Sequence, residues 1–294
     1  MPFEVYTFRS SGKRLFAGKN TPHFHAVYGI IAHKQTIMQD IQTEMRNRAK
    51  ELLESKQAGL VVGFTLDEYG KPTPAFITDP DDVGRLVWND DCVRSRHNLV
   101  GCLKRDEVRK LGKPAVVVNA AGKRAFNVLI AESQREPGDV VLIDMEPEPR
   151  DARFDERYAK LAMLDTMSRE ERFAFWKKEF TRCFKCYACR QVCPLCYCTQ
   201  CIVDKNRPQR IDTSATLKGN FAWNITRAFH LAGRCVGCGA CSAACPAGID
   251  LDLLNLSLAR AGETHFDGYR AGENPDTLPI IGTFSVEDKE TFIR

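Results

Sequence analysis

Eight cysteines in two matching runs are the residues of this chain best suited to chemistry. The first run reads Cys183-Phe-Lys-Cys-Tyr-Ala-Cys-Arg-Gln-Val-Cys193-Pro, and the second reads Cys235-Val-Gly-Cys-Gly-Ala-Cys-Ser-Ala-Ala-Cys245-Pro. Each run is a C-x2-C-x2-C-x3-C-P pattern. Thiolates are soft ligands, and three of them two residues apart allow one tight loop to reach three corners of a cubane iron–sulfur cluster.

The Cys-Pro ending of each run indicates how the ligands are shared. In the pattern of bacterial two-cluster ferredoxins, the fourth cysteine of each run ligates the other cluster. We therefore predict two [4Fe-4S] clusters with crossed ligands. The first cluster is predicted to be held by Cys183, Cys186, Cys189 and Cys245, and the second by Cys235, Cys238, Cys241 and Cys193.

Zinc and disulfide bonds are the alternatives for these cysteines. Structural zinc sites usually pair two C-x2-C hairpins without a third and fourth cysteine in the same run. Disulfides need an oxidising compartment, and residues 1–8 show no basic region followed by an apolar one, as a secretory signal would. Thirteen cysteines without such a signal indicate metal clusters in a reducing cytoplasm.

Five further cysteines leave several interpretations open. Cys196, Cys198 and Cys201 follow the first run closely, whereas Cys92 and Cys102 lie far upstream. The three clustered thiols could hold a third cluster with a fourth ligand from elsewhere, or replace one of the eight ligands. They could also pack beside the clusters as small apolar residues. Spacing alone does not decide between these.

Composition and charge limit the function classes. The chain has 294 residues with a net charge of +4, too small to indicate nucleic-acid binding. No apolar run approaches the length of a membrane span, so none is expected. Residues 181–246 contain nine basic side chains and two acidic ones. Cations near an anionic cluster raise its potential, but a solvated basic face explains the pattern equally well.

The apolar pattern predicts an α/β N-terminal domain with a small parallel sheet, followed by an α-helical dicluster ferredoxin-like domain. The predicted domains are an N-terminal arm, the α/β domain, the helical dicluster domain and a tail, at 1–33, 34–150, 151–262 and 263–294. Strands are predicted at 60–66, 74–78, 114–119 and 140–144, and helices at 35–56, 94–110 and 122–134. The pair His23 and His25 is more typical of surface or packing residues than of a metal site.

The cysteine-rich part is predicted to be helical around the two runs. A capping box at Ser168–Glu171 starts a helix with Phe173, Trp176 and Phe180 on its inner face. A second helix, at 215–231, lies between the two runs and carries Trp223, Ile225 and Phe229. Asp250 is predicted to cap the helix that follows the second run.

The cysteine region resembles the iron–sulfur β-subunit group, which includes sulfhydrogenase β-subunits and the A-type chain of anaerobic sulfite reductase. The resemblance lies in Phe175–Cys183, Cys193–Cys198, Ala228–Cys235 and Gly282–Asp288. Dicluster proteins linked to heterodisulfide reductase-like complexes, electron-bifurcating ones included, share this pattern. The resemblance implies a hetero-oligomer whose other subunits are a flavoprotein and a heterodisulfide reductase-like, hydrogenase-type or formate dehydrogenase-type protein.

The N-terminal half resembles the deazaflavin (coenzyme F420-type) hydrogenase/dehydrogenase β-subunit family. In that family the strand at 114–119 runs into Lys-Gly-Cys-Asp-x-Arg. This chain has Ala121 in place of the cysteine and Gly122 in place of the aspartate, while Arg124 is kept. Because of this departure, we do not expect a bound flavin.

Together these features predict an electron-transfer subunit that relays electrons through two [4Fe-4S] clusters, between a flavin or iron–sulfur partner and a catalytic subunit. No acid–base pair, nucleophile or phosphate-binding loop is visible in the sequence, which favours a relay over a catalytic site. The first alternative is a flavin-bearing β-subunit that acts on a soluble electron carrier. The second is a nucleic-acid-binding protein with architectural clusters, for which no motif is present.

Overall fold

The computed structural model describes residues 39–93, 95, 97–145, 152–203 and 207–282, with the backbone alone at 152–157. The chain divides into two compact units, Met1–Asp40 and Ile41–Arg294. The predicted arm with His23 and His25, the linker at 146–151 and the end of the tail lie outside the described residues. Below, residues 41–145 are called the sheet half and residues 152–282 the cysteine half.

A four-stranded sheet forms the centre of the sheet half, in the order β2-β1-β3-β4. The strands are β1 (Leu60–Leu66), β2 (Pro72–Ile77), β3 (Pro114–Val118) and β4 (Val141–Asp144). The strand β3 is parallel to both β1 and β4. All five of its residues are buried, as expected for a parallel strand covered on both faces.

The predicted small parallel sheet is confirmed for β1, β3 and β4, but the whole sheet is mixed, because β2 is antiparallel to β1. A tight turn causes this. The Asp67 carboxylate accepts hydrogen bonds from the amides of Tyr69 and Lys71, and Gly70 has a φ of 70°. Such a turn returns the chain beside itself in the opposite direction, so the sheet is mixed.

The helices of the sheet half agree with the sequence prediction except in one segment. The helix α1 (39–54) buries Met45, Ala49 and Leu52, as predicted. The single helix predicted over 94–110 is wrong. The region instead contains α2 (Asp90–Val93), a 3-10 helix (Leu99–Lys104) and α3 (Asp106–Lys110). Arg105 is extended between the last two, with ψ of 130°, which breaks the helical path.

The crossover helix of the sheet half is α4 (Ala120–Ala131), which connects β3 to β4. The side chain of Asn119 caps it by accepting a hydrogen bond from the amide of Gly122. Two more 3-10 helices, Pro80–Arg85 and Pro137–Asp139, complete this half. The first is capped by the Asp79 side chain, which accepts a hydrogen bond from the amide of Asp81.

The cysteine half is helical where it is described. Its helices are α5 (Ala152–Asp165), α6 (Arg169–Thr181), α7 (Ala188–Gln191), α8 (Leu217–His230), α9 (Ala240–Ala243) and α10 (Leu251–His265). The capping box that starts α6 is confirmed, with Ser168 and Glu171 exchanging hydrogen bonds. Asp250 occupies the N-cap position of α10, but its side chain makes no capping hydrogen bond. None of the described helices is long and apolar enough to cross a membrane.

Two aromatic side chains of the cysteine half lie at the surface, and one of them, Phe173, was predicted to face inward. Phe180 is buried, but Phe173 is 60% exposed and stacks on Phe221 with ring centres 5.4 Å apart. Phe229 of α8 is 58% exposed. The face of α8 that points inward is largely polar, and this face contacts the cysteine-run region.

Candidate metal centre

The two cysteine runs repeat each other in backbone conformation as well as in sequence. Lys185 and Tyr187 of the first run have φ of 57° and 60°, and Gly237 and Gly239, at the same places in the second run, have 65° and 74°. A short helix begins directly after each turn, α7 in the first run and α9 in the second. Turns of this kind direct successive backbone N–H groups into a concave nest that suits an anion.

The first run adopts this conformation without glycine, which costs roughly 1–2 kcal/mol for each residue. Surrounding contacts hold both residues in place. The ring of Tyr187 meets Trp223 edge to face, with centres 4.7 Å apart. Lys185 is buried, and its Nζ donates a hydrogen bond to the carbonyl oxygen of Asp212 at 3.1 Å. Burial lowers the pKa of Lys185.

The four cysteines predicted for the first cluster line one cavity. Cys183, Cys186, Cys189 and Cys245 all border this small cavity, which is partly open to solvent. Burial raises the pKa of Cys189, and the charges of the other three thiols act on it in the same direction. The amide of Ile249 donates a hydrogen bond to Cys245 Sγ at 3.5 Å.

The second predicted set also comes together. Burial raises the pKa of Cys235 to about 12, and the nearby charges of Cys238 and Cys193 contribute to this shift. Burial and the same neighbourhood raise the pKa of Cys241. The side-chain amide of Asn255 donates a hydrogen bond to Cys241 Sγ at 3.7 Å. Hydrogen bonds to sulfur are a means by which a protein tunes an iron–sulfur cluster.

The last cysteine of each run lies with the other run. Cys193 acts on Cys235 of the second run, and Cys245 lines the cavity of the first. Two groups of four soft donors, each beside an anion-binding nest, fit two [4Fe-4S] clusters. Among the residues that the structure describes, no three His, Cys, Asp or Glu side chains are arranged around a single metal ion.

The polar face of α8 supports both groups and was not predicted from the sequence. The side-chain amide of Asn220 donates to the carbonyl oxygens of Phe180, at 2.8 Å, and Cys183, at 2.6 Å. One turn later, Asn224 lines the cavity of the first group. Arg227 donates to the carbonyl oxygen of Cys189 at 2.9 Å. The signal was present, because three polar residues at helical spacing share a face with Trp223.

The three cysteines after the first run have different surroundings. The thiol of Cys196 forms a hydrogen bond with Cys193, and this bond lowers the pKa of Cys193. Cys201 packs against the apolar core that contains Phe180 and Trp223. Cys198 is exposed.

The two upstream cysteines are buried in the sheet half. The thiol of Cys92 donates to the carbonyl oxygen of Val87 at 3.6 Å, and burial raises its pKa to about 11. Burial likewise raises the pKa of Cys102. Both thiols therefore stay protonated at neutral pH, as packing residues do.

The sheet half contacts the second thiol group directly. Lys104 donates a hydrogen bond to the carbonyl oxygen of Cys193 at 2.8 Å. Arg124 of α4 donates to the carbonyl oxygen of Val236. The Glu132 carboxylate pairs with Arg234 and accepts a hydrogen bond from the hydroxyl of Tyr197. These contacts fix the second cysteine run against the sheet half.

Residues 179–249 match the family model of the 4Fe-4S dicluster domain. That range contains both cysteine runs. The chain therefore carries a 4Fe-4S domain of the electron-transfer class.

Two curated relatives also match part of the chain. The F420-dependent formate dehydrogenase subunit beta of Methanocaldococcus jannaschii is 39% identical over 77 residues, which is 26% of this chain. The F420-dependent formate dehydrogenase 1 subunit beta of Methanococcus maripaludis is 32% identical over 57 residues, or 19% of this chain. The matches span only 20% and 14% of the length of these relatives.

Proposed function

We propose that this chain is an electron-transfer subunit of a formate dehydrogenase-type oxidoreductase complex. The proposed ligands are Cys183, Cys186, Cys189 and Cys245 for one [4Fe-4S] cluster, and Cys235, Cys238, Cys241 and Cys193 for the other. The observation that carries the proposal is that Cys245 of the second run borders the same cavity as Cys183, Cys186 and Cys189 of the first. When bound, each cluster accepts and releases one electron.

The chain itself gives the two thiol groups different access to a partner. In the first group Cys186 is exposed, and its neighbour Phe184 is 58% exposed. The second group lies against the sheet half through Lys104 and Arg124. We infer that a partner protein docks beside the first group, while the sheet half shields the second.

The names of the relatives favour a formate dehydrogenase-type partner. The sequence resemblance keeps a flavoprotein with a heterodisulfide reductase-like or hydrogenase-type subunit as the other candidate set. With either set of partners, the role of this chain is to hold two thiolate sites in one fold. The identity of the partner decides which substrate supplies the electrons.

The second candidate function is a flavin-bearing β-subunit that acts on a soluble carrier. The F420-dependent relatives favour it. The segment that would contact such a carrier is packed against the rest of the protein instead. Ala121 and Gly122 are buried, and a side chain at 122 would press on Val118. Arg124 is bonded to the second cysteine run. We therefore propose that the sheet half is a cover and docking scaffold.

The test is anaerobic purification of the full chain through a tag, together with whatever proteins accompany it. Iron, sulfide and flavin are measured on the complex, and the partners are identified by mass spectrometry. We expect iron for two [4Fe-4S] clusters on this chain, with flavin confined to another subunit. A chain that comes alone with tightly bound flavin and reduces a soluble carrier would instead establish the second candidate.

A further inference from the structure

A buried arginine lies on the helix between the two cysteine runs. Arg227 of α8 is only 5% exposed. One guanidinium nitrogen donates to the carbonyl oxygen of Cys189, but Nε is buried and has no hydrogen-bond partner among the described residues. A buried charge with an unpartnered donor is costly unless another charge compensates it.

Cysteine thiols from both groups supply that compensation. Burial by itself lowers the pKa of Arg227, but the negative charges of the surrounding thiols raise it overall. These thiols are Cys196, Cys193, Cys189 and Cys241. In return, the guanidinium lowers the pKa of Cys235. Arg227 therefore lies within electrostatic reach of one ligand candidate from the first group and three from the second.

We propose that Arg227 is a fixed positive charge shared by the two cluster sites, which stabilises their thiolates and raises the midpoint potentials of both sites. The inference rests on the proposed two-cluster function. One-electron reduction adds one negative charge to a site, and the partner subunit supplies that electron. A guanidinium cannot lose its proton in a protein, so it stabilises the reduced form more than the oxidised one.

The test is an anaerobic redox titration of the native complex, followed by electron paramagnetic resonance. The variants R227Q and R227M remove the charge, and R227K keeps it. The matched control is R210Q, which removes an exposed positive charge from the same half. The signal that the Cys193→Ser variant loses identifies the second site.

We expect R227Q and R227M to lower the midpoint potentials of both sites by about 59 mV or more, which is a tenfold change in the equilibrium constant of a one-electron couple. The midpoint potentials of R227K should lie close to those of the native protein, and R210Q should not change them.

Iron content separates the remaining outcomes. Loss of clusters in R227Q and R227M with retention in R227K also supports the proposal, because R227K keeps the positive charge that the other two variants remove. Full iron with unchanged potentials in R227Q would overturn it. The same conclusion follows if R227K behaves like R227Q, since the arginine would then act through its shape. A native chain without clusters would overturn the proposed function itself.

Discussion

The Nζ atom of Lys104 lies 2.8 Å from the carbonyl oxygen of Cys193 and 3.1 Å from that of Gln191, and it donates a hydrogen bond to each. The lysine belongs to the sheet half, and Cys193 is the residue that the first run contributes to the second thiol group. Burial lowers the pKa of Lys104, while the charge of Cys193 acts in the opposite direction. This single side chain therefore couples the stability of the sheet half to that of the second site.

Replacing Lys104 with Met should destabilise the protein by about 1–3 kcal/mol, because two carbonyl groups lose a charged donor. The second cluster should be lost before the first. Urea unfolding and iron content measured on the same samples check both expectations. Lys110→Met, at an exposed position of α3, is the control and should change neither quantity. Equal behaviour of the two variants would show that the Lys104 contact is unimportant.

Cys193 and Cys196 should respond differently to substitution. The hydrogen bond from Cys196 lowers the pKa of Cys193, so the thiolate suited to metal binding is that of Cys193. We expect Cys193→Ser to abolish the second cluster and Cys196→Ser to retain both, as measured by iron and sulfide analysis. The reverse result would identify Cys196 as the ligand, which is the substitution alternative left open by the sequence.

Two glycines near the end of the chain form a matched pair. Gly272 and Gly268 have φ of 73° and 75°, so a residue with a side chain would be strained to a similar degree at either position. A Cβ at 272 would overlap the carbonyl oxygen of Arg124, whereas a Cβ at 268 meets nothing within 4 Å. Gly268→Ala should cost roughly 1–2 kcal/mol of the free energy of unfolding, and Gly272→Ala distinctly more. Similar unfolding midpoints for the two variants would contradict the tight packing at Arg124.

Tyr158 should make stability fall at high pH. Burial, followed by the charge of Glu263 and a hydrogen bond to it, raises the pKa of Tyr158 from 10.0 to about 12. Between these values the unfolded chain loses the phenolic proton while the folded protein keeps it, so the free energy of unfolding decreases as the pH rises from 10 to 12.

The variant Y158F removes this contribution, which is about 1–2 kcal/mol. Urea unfolding at pH 9 and pH 11 is the measurement. The native protein should lose more stability between the two than Y158F does. The matched control is Tyr69→Phe, at a side chain that is 77% exposed, and it should follow the native protein. A pH dependence that Y158F leaves unchanged would assign the effect to other groups.

The cysteine runs could be interpreted from the sequence because their spacing is itself the geometry of the site. A C-x2-C-x2-C loop has few ways to bring three sulfurs together, and the Cys-Pro ending directs the fourth away. The polar face of α8 was missed for the opposite reason. Asn220 and Arg227 look solvent-facing in an apolar periodicity count, and only the folded chain shows the buried carbonyls that they bind.

The prediction of one helix over 94–110 failed because the conformation of this segment depends on a distant part of the chain. The 3-10 helix there contains Gly101, where an added Cβ would lie 3.2 Å from the carbonyl oxygen of Val192. The cysteine half thus constrains a stretch about ninety residues earlier in the sequence. Local propensity carries no information about such a contact, and so a continuous helix was the natural expectation.

The two runs have different residues at their left-handed positions, and this difference affects which site is exposed first when the protein unfolds. The first run is covered by a side chain of its own, since the ring of Tyr187 packs against Trp223. The second has glycines at these positions and is contacted from outside, since Arg124 of the sheet half donates to Val236 and Lys104 donates to Cys193, the first-run residue that joins the second thiol group. When the two halves separate, we therefore expect oxygen to reach the second site first, so that a chain with both proposed clusters would lose the second before the first.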